Sequence, residues 1–87
     1  LDVYEINEQT IKKIQESKAS DIEKVFNLIK SIEKTVKENL EKQPYLISIG
    51  EKAENIIKQF HERQLTTQEI LDELKELIDE INEARKE

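Results

Sequence analysis

LTTQEILDELKELIDEINEARKE, residues 65–87, carries the marks of one amphipathic helix from its first residue to its last. Thr66 can cap the N-terminus, because its side-chain oxygen can accept the amide hydrogen three residues on. Glu69, at that third position, can reach back to the Thr66 amide and complete a capping box. Leu65 before the cap and Ile70 are placed to form a hydrophobic staple. Ile70, Leu74, Leu77, Ile78, Ile81 and Ala84 then recur at steps of three and four, which puts them on one face, with Leu71 at its margin. Glu69, Asp72, Glu73, Glu76, Asp79 and Glu80 take the outside. Arg85 and Lys86 fall at the C-terminal end, where the helix dipole favours cations. The stretch contains nothing that looks like chemistry, so the first question is what this rod packs against.

Three further helical segments precede it. Pro44 can open one, since its missing N–H is not needed in a first turn. Leu46, Ile49, Ala53, Ile56, Ile57 and Phe60 line its apolar side. Gly50 lies at the edge of that side and costs about 1 kcal/mol against Ala inside a helix. Either the helix begins after Gly50, or Gly50 admits a close neighbour, and the second reading is favoured. Upstream, Ser20-Asp21-Ile22-Glu23 fits another capping box. The stripe Ile22, Val25, Phe26, Ile29, Ile32, Val36 and Leu40 follows, and Pro44 stops it around Glu41-Lys42-Gln43. The first segment spans about Val3 to Ser17, with Val3, Ile6, Thr10 and Ile14 on one face. It is short enough to depend on packing for its helicity.

Composition agrees with this pattern. The chain has 87 residues, 39% of them charged and 36% hydrophobic, with one Gly, one Pro and no Cys, Met or Trp. Such a balance belongs to long helices, and turn-rich sheet would need more Gly and Pro. Short connections make successive helices antiparallel. The expected fold is all-α: one domain over residues 1–87, an antiparallel bundle of three long helices plus a shorter N-terminal helix. The start at Leu1 instead of Met fits a fragment of a larger protein.

The formal net charge is −6. With Lys and Arg scattered among acids, a broad phosphate-binding surface is disfavoured, and no direct nucleic-acid binding is expected. The absence of Cys rules out disulfides and thiolate metal sites. No apolar run approaches the roughly 20 residues of a membrane span, and the acidic start lacks a signal-peptide core, so a cytoplasmic location is expected.

Catalytic groupings are equally scarce. A single Gly cannot build a phosphate-cradling loop, and a single His cannot anchor a multi-His metal site. His61 reads as a solvated last-turn residue. Ser31-Ile32-Glu33-Lys34 matches the S-x-x-K pattern of serine β-lactamases, but in mid-helix and without its partner motifs, so Ser31 reads as a helix-face residue. Phe26 and Phe60 read as core anchors, and Tyr45 as a helix-start residue with its hydroxyl near water. No catalytic, cofactor-binding or metal-binding residue is assigned. Tyr4, Ile11, Leu28, Ile47 and Leu71 sit at the edges of their stripes. Core broadening is the ordinary reading of such residues. If they converge, they form a partner-contact patch.

Three stretches carry a family resemblance: Val25-Phe26-Asn27-Leu28-Ile29-Lys30-Ser31-Ile32, Gln43-Pro44-Tyr45-Leu46-Ile47-Ser48-Ile49-Gly50-Glu51, and Arg63-Gln64-Leu65-Thr66-Thr67-Gln68-Glu69. With the residues between them, about 24 to 87 in all, they resemble the C-terminal helical region of type I restriction enzyme R subunits. The resemblance implies a large parent protein that uses ATP and Mg to translocate DNA and cleaves it with a separate nuclease domain. It implies that this region serves assembly with the modification and specificity subunits, or with other domains of the same R subunit. The motor's nucleotide-binding motifs and the nuclease's carboxylate–lysine motif are missing here. No catalytic residue carries over, and no cofactor is expected in the fragment. The alternative is a free-standing, self-associating helical bundle or coiled-coil protein.

Overall fold

A computed structural model describes residues 3–86 of the chain. Four helices follow in order: α1 (Thr10–Glu16), α2 (Asp21–Asn39), α3 (Leu46–His61) and α4 (Thr67–Arg85). The three long helices pack pairwise around one core, and α1 rests against α4. Side-chain contacts give their directions. Gly50, early in α3, lies against Val36, late in α2. Lys52, early in α3, reaches Glu80, late in α4, at 2.7 Å. Both pairs are therefore antiparallel. Gln68 and Asp21, at the starts of α4 and α2, hydrogen-bond at 2.8 Å, so those two helices run the same way. The radius of gyration is 12.3 Å, close to the ~12 Å expected of a compact chain this long.

The helix ends follow local chemistry. Thr66 accepts from the Glu69 amide at 3.1 Å, and the Glu69 carboxylate accepts from the Thr66 amide at 2.9 Å, so the full capping box forms. Leu65 packs against the core that contains Ile70, as a staple requires. At α2, Ser20 accepts from the Glu23 amide at 3.3 Å, but the return bond from Glu23 does not form, leaving half a box. Pro44 stands in the turn before α3, and its carbonyl accepts the Ile47 amide at 3.1 Å. Gly50 lies inside α3.

The C-terminus of α3 is held in a way its sequence does not advertise. Gln64 N–H reaches back to the Gln59 carbonyl at 2.8 Å, and Arg63 N–H to the Phe60 carbonyl at 3.0 Å. This pair of bonds defines a Schellman turn, and its left-handed position is occupied by Arg63, at φ 62°, where Gly is usual.

The core consists of Val25, Leu28, Ile29 and Ile32 from α2, then Leu46, Ile49, Ala53 and Ile56 from α3. α4 adds Ile70, Leu71, Leu74, Leu77, Ile78 and Ile81, and the N-terminal region adds Ile6 and Ile14. On α3 and α4 the expected stripes are the buried ones, with Ile57, Phe60 and Ala84 only half-buried. On α2 the buried face is rotated from the expected one. Asn27, Leu28, Ser31 and Thr35 turn inward, while Ile22, Phe26 and Leu40 stay 40%, 40% and 38% exposed. Phe26 is therefore not a core anchor. The rotation has a clear cause: α2 is covered on two sides, by α3 and α4 on one and by the N-terminal segment on the other.

That segment is also where the helix expected from about Val3 fails to form. Residues 3–9 make an extended strap ending in a turn, and helix starts only at Thr10. Val3, expected on the buried face, is 47% exposed, whereas Ile6, Thr10 and Ile14 are buried. Side chains take the bonds that helix would have used. The Thr10 hydroxyl accepts the Asn7 amide at 2.8 Å and donates to the Glu5 carbonyl at 2.7 Å. Asn7 Oδ1 accepts the Gln9 amide at 2.8 Å. Short polar side chains that bond nearby backbone in this way compete directly with helix.

Candidate interaction surface

The five edge residues do not converge. Leu28 and Leu71 are core residues, 0% and 4% exposed, and no partner can reach them in this fold. Tyr4 and Ile11 are half-buried against the core from the strap and α1. Ile47 alone stands well out, 54% exposed on α3. Sequence pattern had put Leu28 and Leu71 at stripe margins because it priced one covered face per helix. α2 and α4 each have more than one neighbour, so the margins are buried too.

The exposed apolar surface lies elsewhere, along the outside of the α2–α3 pair. Because these helices are antiparallel, Ile22 and Phe26 at the start of α2 lie level with the end of α3. Leu40, at the C-cap of α2, and Ile47, in the first turn of α3, belong to the opposite end. Between them runs a shallow groove of about 310 Å³, floored by Ile32, Val36, Gly50, Ala53 and Ile57 and rimmed by Glu33, Lys37 and Glu54. A Cβ placed on Gly50 would meet Val36 Cγ1 at 3.4 Å, an ordinary contact. Gly50 thus deepens the groove without being required by the packing. Along the middle of α3 and α4 the groove is larger, about 430 Å³, but mostly polar, with Lys52, Glu73, Glu76 and Glu80 among its lining. At the start of α3 it turns apolar beside Tyr45, Ile49 and Ala84.

The third groove, between α2 and α4, is closed by the strap. Ser31, fully buried, accepts the Tyr4 amide at 2.8 Å and donates to the Asn27 carbonyl at 2.7 Å. Asn82 Nδ2 donates to the Asn7 carbonyl at 2.9 Å, and Arg85 donates to the Ile6 carbonyl. Lys86 adds ion pairs to Glu83 at 3.3 Å and Glu8 at 3.7 Å. The Glu83 hydrogen bond, helped by the charges of Glu83 and Glu8, raises the Lys86 pKa above 10.5. A raised ammonium stays charged at neutral pH, and its contribution fades only as pH climbs past that range. Ser31 is thus more than a helix-face residue. Sequence reasoning missed it, together with Asn82 and Arg85. The available signal was the row Asn27, Ser31, Thr35, small polar residues four apart, which marks a second occupied face on α2.

His61 ends α3, exposed, with its ring 6.3 Å from that of Phe60. Tyr45 is half-buried, and its hydroxyl donates to Gln43 at 3.1 Å. Among the described residues no three His, Cys, Asp or Glu side chains assemble into a metal-binding group. No described helix is long and apolar enough to cross a membrane. The ion pairs along the helices, such as Lys58–Glu62 at 3.9 Å, are exposed and contribute little. What the surface offers is an apolar strip with a mixed-charge rim, suited to docking against another folded surface. No protein-family model, characterised protein or solved structure matches the chain.

Proposed function

We propose that this chain is a helical assembly module of a type I restriction enzyme R subunit. Its role is to hold other proteins or domains together, and it carries no reaction of its own. The observation that carries the reading is where the three resembling stretches fall. Val25–Ile32 supplies the α2 core positions and the Ser31 anchor. Gln43–Glu51 forms the turn into α3 and its first buried residues. Arg63–Glu69 contains the Schellman turn and the capping box that set α4 on α3. The resemblance therefore follows the framework of the bundle, where a family of helical modules would share residues.

On this reading the modification and specificity subunits, or other domains of the same R subunit, are the partners. ATP and Mg belong to the parent's motor, and the setting is the cytoplasm. The test is co-purification of tagged modification and specificity subunits with the R subunit, with and without this region. Retention that depends on residues 1–87 supports the reading. Equal capture with the region deleted would sink it.

A further inference from the structure

We infer that the α2–α3 face is a self-complementary surface on which a second copy of this chain docks. The inference stands apart from the identity of the subunits named above, because it rests only on the face itself. Four large apolar side chains, Ile22, Phe26, Leu40 and Ile47, are between 38% and 54% exposed. By helical spacing the first three share the α2 face of Glu33 and Lys37, and Ile47 the α3 face of Glu54. This rim borders a groove floored by half-buried Val36 and Ile57. Exposed apolar side chains at both ends of one face, joined by half-buried Val36 and Ile57, are more than the scattered exposure of an ordinary surface.

Charge identifies the occupant. On the α2 rim Lys30 is paired with Glu33 and Lys34 with Glu38, which leaves Lys37 without an ion-pair partner among the described residues. On the α3 rim Lys58 is paired with Glu62, and Lys52 with Glu80 of α4, which leaves Glu51 and Glu54 without an ion-pair partner among the described residues. One rim thus ends with a free cation and the other with free anions. A two-fold axis along the groove sets α2 of one copy over α3 of the next, bringing each Lys37 to Glu51 and Glu54 of its mate. Every contact then occurs twice, as an isologous interface requires, and opposite charges fix the register.

Area sets the strength. A helix of 19 residues is about 28 Å long at 1.5 Å per residue, and neighbouring helices lie about 9 Å apart. The two-helix face therefore covers on the order of 500 Å² per copy. Two copies bury on the order of 1,000 Å², the lower limit of specific interfaces. The dimer is accordingly weak and concentration-dependent.

Sedimentation equilibrium of the 87-residue protein between roughly 10 μM and 1 mM, the range such a small interface serves, tests this. A reversible monomer–dimer transition is expected. Lys37→Glu alone, or Glu51→Lys with Glu54→Lys, should weaken the dimer roughly tenfold, since each lost pair occurs twice. Combining all three substitutions should restore it. Phe26→Ser should abolish the dimer while the helical circular dichroism of the monomer persists. A monomer throughout the range, or a dimer indifferent to the charge substitutions, overturns the proposal. These charged side chains are exposed, so their replacement leaves folding intact and the readout unambiguous.

Discussion

Replacing Ser31 by Ala removes a single oxygen that no solvent touches. That oxygen accepts the Tyr4 amide at 2.8 Å and so ties the strap to α2. Its loss leaves the Tyr4 N–H partly buried without an acceptor, at a cost of about 1–3 kcal/mol. The Asn27 carbonyl loses only the hydroxyl bond, because it also serves the α2 backbone ladder. Ala is the better helix former by about 0.5 kcal/mol, which offsets part of the loss. The net expectation is a destabilisation of about 1.5 kcal/mol. For a chain of this size that lowers Tm by roughly 6–12 °C. Urea denaturation followed by circular dichroism measures the stability, and amide exchange at Tyr4 reports the strap locally. Ser48→Ala, at an exposed position on α3, is the control and should fall within about 0.5 kcal/mol of the parent. If Ser31→Ala matched that control and Tyr4 exchange stayed slow, the strap would not be held as described.

Gly50→Ala should stabilise the fold by about 1 kcal/mol, because helix propensity improves and the new methyl meets Val36 at an ordinary 3.4 Å; a drop in the urea midpoint would mean that the α2–α3 packing is tighter than described. Arg63→Gly should raise stability by about 0.5–1 kcal/mol, since Gly holds φ 62° without a Cβ penalty, although the more flexible unfolded chain returns some of that gain. Thermal unfolding of this variant alongside Arg63→Ala, which should be neutral, separates backbone strain from side-chain effects. Thr66→Ala should cost about 1 kcal/mol through loss of the capping bond to the Glu69 amide. Exchange protection should fall first in the opening turn of α4, and uniform loss along the helix would contradict a local role.

α4 was legible in the sequence almost residue by residue, because its capping box, staple and apolar spacing all point to one helix. α3 was legible from Pro44 and its stripe. α2 was legible in extent but not in rotation. A helical stripe shows that some face is covered without showing how many neighbours cover it. Phe26, the largest side chain on the α2 stripe, reads as a core anchor and lies outside, whereas Ser31 reads as a helix-face residue and lies inside together with Asn27. The strap was illegible for a related reason. Its buried apolar residue, Ile6, keeps helical spacing with Thr10 and Ile14 of α1, but the bonds that anchor it to the bundle come from Ser31, Asn82 and Arg85, 27 to 79 residues away. Local periodicity contains no information about such distant partners. The exposed α2–α3 strip was hidden in plain composition, since the sequence shows which residues are apolar and not which find cover.

The strap closes on the last turns of α4, so Ile6 and Asn7 sit beside Asn82 and Arg85. Chain entering at one end of this bundle leaves near the point of entry. Anything tethered on both sides would hang the bundle from one pole like a pendant, with its helices free of the line of tension. A pull on those tethers would peel away the polar clasps at Ser31, Asn82, Arg85 and Lys86 before any load reached Leu74 or Ile78.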